Sequence, residues 1–396
     1  MTLLPRPPSG PAVVDWVAAH LGHLSYDVPR ASRIRGGQAA ADRALAELDL
    51  TGYARRRNQV LPVSARGASQ LSPYVRHGLL TLPRLWDAAG AAPAADGRKY
   101  RDELLWQEYA RHLYARLGAD LGRSLRTEPP RSDDVRDPWP RRMACMATTV
   151  GELEDDGWLV NQTRMWLASQ WTVRSGRAWR EGEDLFYRHL LDGSRAANRL
   201  GWQWTTGAGS AKPYGFSRWQ VEKRAPGLCG TCPLRDACPI QQWPDGTVGP
   251  AVEEPAGLRG GPTDGGPVEP VVTGAPEVVW LTAESLGDED PALVAHPDLP
   301  RVFVFDEPLL ARLRLSGKRL VFLAEALAEL GDEVDVEVRR GDPVTELADR
   351  LLAVTYAPVP GFRRRSAALD IAALHPWPWL RRPGSGSLRS FSAFAR

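Results

Sequence analysis

The chain has 396 residues, enough for two domains or more. Its formal charge of only +2 excludes a generally basic surface, so any nucleic-acid contact needs a local patch. No apolar run approaches the ~18 residues of a membrane span, and the start, MTLLPRPPSG, lacks the charged-then-apolar layout of a signal peptide. A cytoplasmic protein is expected, with no membrane contact. Four cysteines in such a chain point to metal or redox use rather than disulfides, and the 15 tryptophans call for an explanation.

Residues 1–32 read as a Pro-rich tail and a short amphipathic helix whose apolar side is Val14, Trp16, Val17, Leu21 and Leu24. Residues 33–244 read as one helical domain. It opens with Gly36-Gly37 and an Ala/Leu-rich helix from Ala39 to Leu48. An arginine run, Arg55 to Arg57, follows and is by default a solvated face. In the small-residue loop from Gly67 to Tyr74, Ser72 before Pro73 has the form of a helix N-cap. Backbone N–H groups at such an end suit a phosphate, although most caps merely cap. Tyr100 to Leu117 is strongly helical, with Leu104, Leu105, Tyr109, Leu113 and Leu117 on one side. A polar connector spans 119–140, and Met143 to Ser175 is helical with a break near Asp155-Asp156-Gly157.

Residues 245–275 are dense in Gly and Pro and read as a linker. Residues 276–396 change character. Val278–Leu281, Arg301–Phe305 and Val334–Val338 read as strands, and Leu320–Leu330 and Val344–Leu352 as helices. Strand–helix alternation implies a small α/β domain with a parallel sheet.

Three of the four cysteines, Cys229, Cys232 and Cys238, lie within ten residues, spaced C-x2-C-x5-C and followed by Pro239. This is a common iron–sulfur arrangement, and Cys145 upstream would complete a set of four. A structural zinc site is the competing reading, and unliganded buried thiols the plain one.

The stretch from Asn161 to Tyr214 runs Asn161-Gln162-Thr163-Arg164-Met165, Trp179-Arg180-Glu181-Gly182, Asp192-Gly193, Asn198, and Trp202-Gln203-Trp204. In order and spacing it resembles the FAD-binding domain of the DNA photolyase/cryptochrome family. A helical core that happens to be Trp-rich is the plainer alternative. Glu103 to Tyr109 resembles that family's Glu-Leu-x-Trp-Arg-Glu helix, with Gln107 replacing Arg. Residues 276–396 resemble its small antenna domain, which in most members comes first. The resemblance therefore implies an α-helical FAD-binding domain followed by a small α/β domain, photolyase-like in circularly permuted order.

The resemblance further implies FAD as cofactor, contacted by Tyr53, Ser69, Leu71, Ser72, Glu103, Asn161, Arg164, Asp192 and Asn198, with Asn198 facing flavin N5. Ala68 stands where Thr is usual, and Ser194 replaces a carboxylate. The implied reaction is light-driven splitting of cyclobutane pyrimidine dimers in damaged DNA by a monomeric enzyme. Glu103, Trp106, Asn161, Met165 and Trp204 would face the lesion, with Trp106 and Trp204 stacking it. Trp202 and Trp179 match the flavin-proximal members of an electron-transfer chain, with Trp139 offered as a third. Lys212-Pro213-Tyr214, Lys223-Arg224 and the cysteine run resemble the iron–sulfur bacterial group, which implies one [4Fe–4S] cluster on Cys145, Cys229, Cys232 and Cys238. Thr282-Ala283-Glu284 stands where a basic stretch is usual, so an antenna pigment is left unassigned. Two other functions stay open: a cryptochrome-like blue-light photoreceptor, and an iron–sulfur DNA-binding protein without photochemistry.

Overall fold

A computed structural model describes residues 2–132, 137–359 and 361–396, so residues 133–136 of the expected connector lie outside the described ones. The chain divides into an α/β unit (Met1–Leu48, Leu71–Ala88, Pro262–Ser385) and a helical unit (Asp49–Gln70, Ala89–Gly261, Gly386–Arg396).

Among the described residues of the α/β unit, seven strands form one sheet: β1 (Thr2–Leu4), β2 (Val271–Val272), β3 (Val278–Leu281), β4 (Arg301–Asp306), β5 (Val336–Gly341), β6 (Leu352–Thr355) and β7 (Ile371–His375), in the order β1-β5-β4-β3-β6-β7-β2. The five inner strands pair in parallel, while β1 and β2 close the two edges antiparallel. β3 and β6 are buried at every position, which is why they read as unbroken apolar runs. Three helices after strands start on an Asp cap with Pro close behind: Asp290-Pro291, Asp306 with Pro308, and Asp342-Pro343. The carboxylate satisfies the free N–H groups, and Pro presets the helical φ.

The parallel sheet expected in the last third is present, but its boundaries differ from those read in the sequence. Residues expected as an N-terminal tail supply β1, whose Leu3 lies opposite Arg339 of β5. The Val13–Leu21 helix buries Trp16, Val17 and Leu21 and packs on the Gly317–Glu333 helix. Glu325 and Glu329 of that long helix accept from the N–H groups of Gly36 and Ala39, at 2.6 and 2.7 Å. The helix expected over Val344–Leu352 is a single turn, Pro343–Glu346, because Leu352 already opens β6.

The helical unit is built on the Ala94–Leu117 helix with shorter helices Ala144–Asp155, Asn161–Ala168, Trp179–His189, Arg195–Thr206 and Arg218–Arg224. Trp139, Trp166, Trp179, Trp202, Phe186 and Phe216 are buried in one apolar cluster, which accounts for four of the 15 tryptophans. Residues 386–396, expected to end the α/β domain, belong to this unit, where the Leu388 N–H donates to the Leu258 carbonyl at 2.8 Å. Among the described residues no helix is long and apolar enough to cross a membrane.

Candidate functional site

The Arg195–Thr206 helix begins at Ser194, whose hydroxyl accepts from the Ala197 N–H at 3.5 Å, and stops at Gly207, with φ +86°. A serine cap and a left-handed glycine thus bracket it. A helix turns about 100° per residue, so Asn198 and Trp202 share one face while Trp204 lies far round from Trp202. Burial follows this geometry: Asn198 is 6% and Trp202 2% exposed, whereas Trp204 is 43% exposed. Trp202 meets Phe186 edge-on at 5.0 Å, and Trp204 lies beside Tyr214 at 5.7 Å. The Asn198 amide nitrogen and the Trp202 indole nitrogen are both buried without a hydrogen-bond partner. Each such orphan costs about 1–3 kcal/mol. Two on one helix face are what a bound group carrying acceptors would relieve.

Arg164, on the Asn161–Ala168 helix, forks onto Asp192 with contacts of 2.7 and 3.2 Å, and its Nε donates to the Leu159 carbonyl at 3.1 Å. The two-pronged geometry fixes the guanidinium plane. Met165 beside it is half-buried, and Asn161 is exposed.

The Ala94–Leu117 helix carries Glu103 and Trp106. Glu103 sits 3.1 Å from Arg57 Nε and 3.0 Å from Lys99 Nζ, so its carboxylate is held between two cations. Trp106 stacks flat on Phe391, with ring centres 4.0 Å apart and planes 8° from parallel. The Trp106 ring, expected to stack a lesion, is thus covered on one face by Phe391. At the start of the same helix Asp96 accepts from the N–H groups of Gly52 and Ala54, both at 2.9 Å, and so clamps the turn bearing Tyr53. Tyr53 packs edge-on against Tyr100 at 5.1 Å. Burial pushes the Tyr100 hydroxyl up to about 12, opposed by its bond to Ser69. Burial, with the Glu103 charge behind it, raises Tyr53 further. Both phenols stay protonated and remain donors. Leu71 and Ser72 belong to the α/β unit, where Ser72 is the first residue of the Ser72–Arg76 helix and Leu71, not Ser72, holds the cap position.

Sequence reading missed Asp96 and Phe391. The signal for Asp96 was an acid in the first helical turn. Phe391 carried no local signal.

Trp179 is fully buried, donates to Ser124 Oγ at 3.1 Å and lies under the Arg180 guanidinium at 4.8 Å. Phe186 bridges Trp202 to Trp139 (5.0 and 6.2 Å), and Trp139 meets Trp171 at 4.8 Å. Trp171 sits in the π-helical turn Ser169–Arg174, a wide turn frequent at functional sites. Gly182 lets these rings converge: a Cβ there would lie 2.1 Å from Trp202 and 3.0 Å from Trp171.

All four cysteines line one small pocket, partly open to solvent, with Met143, Leu228, Leu234 and Ile240. The Ala144 N–H points at Cys232 Sγ, 3.4 Å away. Burial, with the neighbouring Cys229 and Cys238 behind it, pushes the Cys145 thiol up to about 12. Among the described residues no set of three or more His, Cys, Asp or Glu side chains is arranged to hold a metal ion. The structure therefore brings the expected ligands to one pocket but not to ion-binding spacing.

Residues 144–224 match the family profile described as the FAD binding domain of DNA photolyase. Over 218 residues the chain is 31% identical to the deoxyribodipyrimidine photo-lyase of Synechococcus sp., covering 48% of this chain and 42% of that protein. Over 189 residues it is 34% identical to the deoxyribodipyrimidine photo-lyase of Thermus thermophilus, covering 43% and 42%. A solved bacterial class III photolyase from Agrobacterium tumefaciens is 27% identical, covers 47% of this chain and 42% of that one, and superposes with a TM-score of 0.39. The chain spans less than half the length of these relatives.

Proposed function

We infer that this chain is a FAD-binding protein of the photolyase/cryptochrome family and acts as a light-driven lyase on cyclobutane pyrimidine dimers. The observation that carries the reading is the Asn198 amide, buried and without a partner, in the segment similar to the FAD binding domain of DNA photolyase. It fits a flavin edge that offers acceptors. Within the helical unit, Tyr53, Ser69, Glu103, Asn161, Arg164, Asp192 and Asn198 are the residues that would hold the cofactor. The chemistry a reduced flavin supplies there is light-driven transfer of one electron to the dimer and its return after the ring splits.

The chain's own residues would do the rest. The Arg164–Asp192 fork would hold a fixed cation against the cofactor and would favour an anionic form of it. Trp204, exposed, and Trp106, once Phe391 is displaced from it, would stack a flipped lesion. Flipping costs a few kcal/mol, least for damaged bases, and stacking at ~1–3 kcal/mol per base offsets it. Trp202 and Trp179 would relay electrons toward the flavin, with Phe186 and Trp139 extending the aromatic contacts. The proposed partner is damaged DNA, and the proposed state a cytoplasmic monomer with its α/β segment circularly permuted.

Cys145, Cys229, Cys232 and Cys238 are proposed to hold a [4Fe–4S] cluster. The reading is supported by four thiols that line one pocket, three of them spaced C-x2-C-x5-C before a proline. A second reading, a cryptochrome-like photoreceptor, is favoured by the hold of Phe391 on Trp106.

The test is the absorption spectrum and metal content of the purified protein. Flavin bands with about four irons per chain are expected. Absence of flavin overturns both readings, and zinc or no metal overturns the cluster.

A further inference from the structure

Phe391 is placed as a stacked base would be. Its ring lies parallel to Trp106 at 4.0 Å, the geometry in which a base packs on an aromatic platform. It is not a core residue: it is only half-buried and lies on a single helical turn, Phe391–Phe394, that Ser390 caps by accepting from the Ala393 N–H at 3.2 Å. One turn has no stability of its own, since nucleation outweighs the one or two bonds it gains. The approach to it is Gly384-Ser385-Gly386-Ser387, and neither glycine has a neighbour within 4 Å of where a Cβ would sit.

The segment is nonetheless held in register, largely through its backbone. Tyr109 donates to the Leu388 carbonyl at 2.7 Å, Arg116 to the Gly386 carbonyl at 2.6 Å, and Arg126 to the Arg389 carbonyl at 2.9 Å. Arg389 pairs with Glu254 at 2.9 Å. Phe394 fills the space beside Tyr109 and His112, at 5.3 and 4.9 Å. The anchors fix the segment on both sides of residue 391, leaving the Phe391 ring to lie on Trp106.

We propose that Phe391 is an internal occupant of the base-stacking face of Trp106 and sets how readily a flipped base is admitted. This rests on the lesion-binding reading above. A base reaching that face must displace the Phe391 ring, and only an already unstacked base, as in a lesion, competes well. Normal duplex, held by phosphate contacts, is indifferent to it.

The experiment measures, in the dark, binding of wild type, Phe391→Ala, Trp106→Ala and the double variant to two duplexes. One carries a single thymine cyclobutane dimer and the other is undamaged. Circular dichroism confirms that each variant is folded. Phe391→Ala is expected to bind the dimer duplex roughly 5- to 10-fold tighter, the scale of one aromatic stack, with undamaged affinity unchanged. In the Trp106→Ala background the same substitution is expected to have no effect. Wild type that prefers the dimer while Phe391→Ala gains nothing, or loses affinity, overturns the gate alone. No preference for the dimer in either protein overturns the lesion reading and the gate with it. A gain of equal size on both duplexes also overturns the gate.

Discussion

Asn198 illustrates how one side chain records a trade between stability and binding. Its amide is buried without an acceptor, a cost that nothing in the folded chain offsets. Asn198→Leu removes that cost. Flavin-free protein should therefore gain about 1–2 kcal/mol in urea unfolding while flavin retention on a desalting column falls. Unchanged retention would show that the amide does not face the cofactor. Asp290 makes a pH prediction. Its Oδ1 accepts from Thr355 Oγ1 at 2.7 Å and from the N–H groups of Ala292 and Leu293 at 3.1 and 3.3 Å. Burial outweighs those bonds and raises the carboxyl from 3.8 to about 6. Between those values the native state keeps a proton that the unfolded chain has lost. The contribution is full below pH 3.8 and is lost as pH rises through 6. The loss is on the order of 3 kcal/mol. Asp290→Asn keeps the acceptor and carries no charge, so the wild-type unfolding free energy should fall relative to the variant's across that window.

At the scale of elements, the Trp179–His189 helix is shaped by what it must admit. Trp179, Gly182, Glu183 and Phe186 repeat at three and four residues and face the core. Alanine favours a helix over glycine by about 1 kcal/mol. At position 182 its methyl would meet Trp202 at 2.1 Å, and Trp202 is fully buried. Overpacking of this kind costs about 1–3 kcal/mol. Gly182→Ala should be less stable than wild type in urea and show altered tryptophan fluorescence. A variant at least as stable would mean that the Trp202–Trp171 convergence is loose. The Arg195–Thr206 helix shows why W-x-W was readable as a motif but not as a geometry. Trp202 and Trp204 look like a pair in sequence, yet helical twist sends one to the core and the other to solvent.

For the whole molecule, local signals were legible and distant returns were not. Periodicity marked the Ala94–Leu117 and Gly317–Glu333 helices, and apolar runs marked β3 and β4. Nothing in Thr2–Leu4 announces a partner at Val338–Arg340, and nothing in Phe391 announces Trp106. Such short segments carry too few apolar residues to declare where they pair. The cysteine spacing was legible, and Arg164 and Asp192 were singled out through family resemblance. The unpartnered Asn198 amide was not, because orphan atoms exist only in three dimensions. A consequence follows for dissection of the chain. A fragment of residues 276–396 lacks β1, which covers the β5 edge, and the Val13–Leu21 helix, which covers the Gly317–Glu333 helix. Bare edges and apolar faces aggregate. The fragment should be insoluble or non-native by circular dichroism, and a cooperatively folded monomer would contradict this. The central claim, light-driven repair by reduced flavin, is tested most directly by illuminating pre-reduced protein with blue light on an oligonucleotide holding one thymine cyclobutane dimer. The account predicts restored thymines that a dark control lacks. Protein that carries reduced FAD, binds the lesion and still restores no thymine would contradict it.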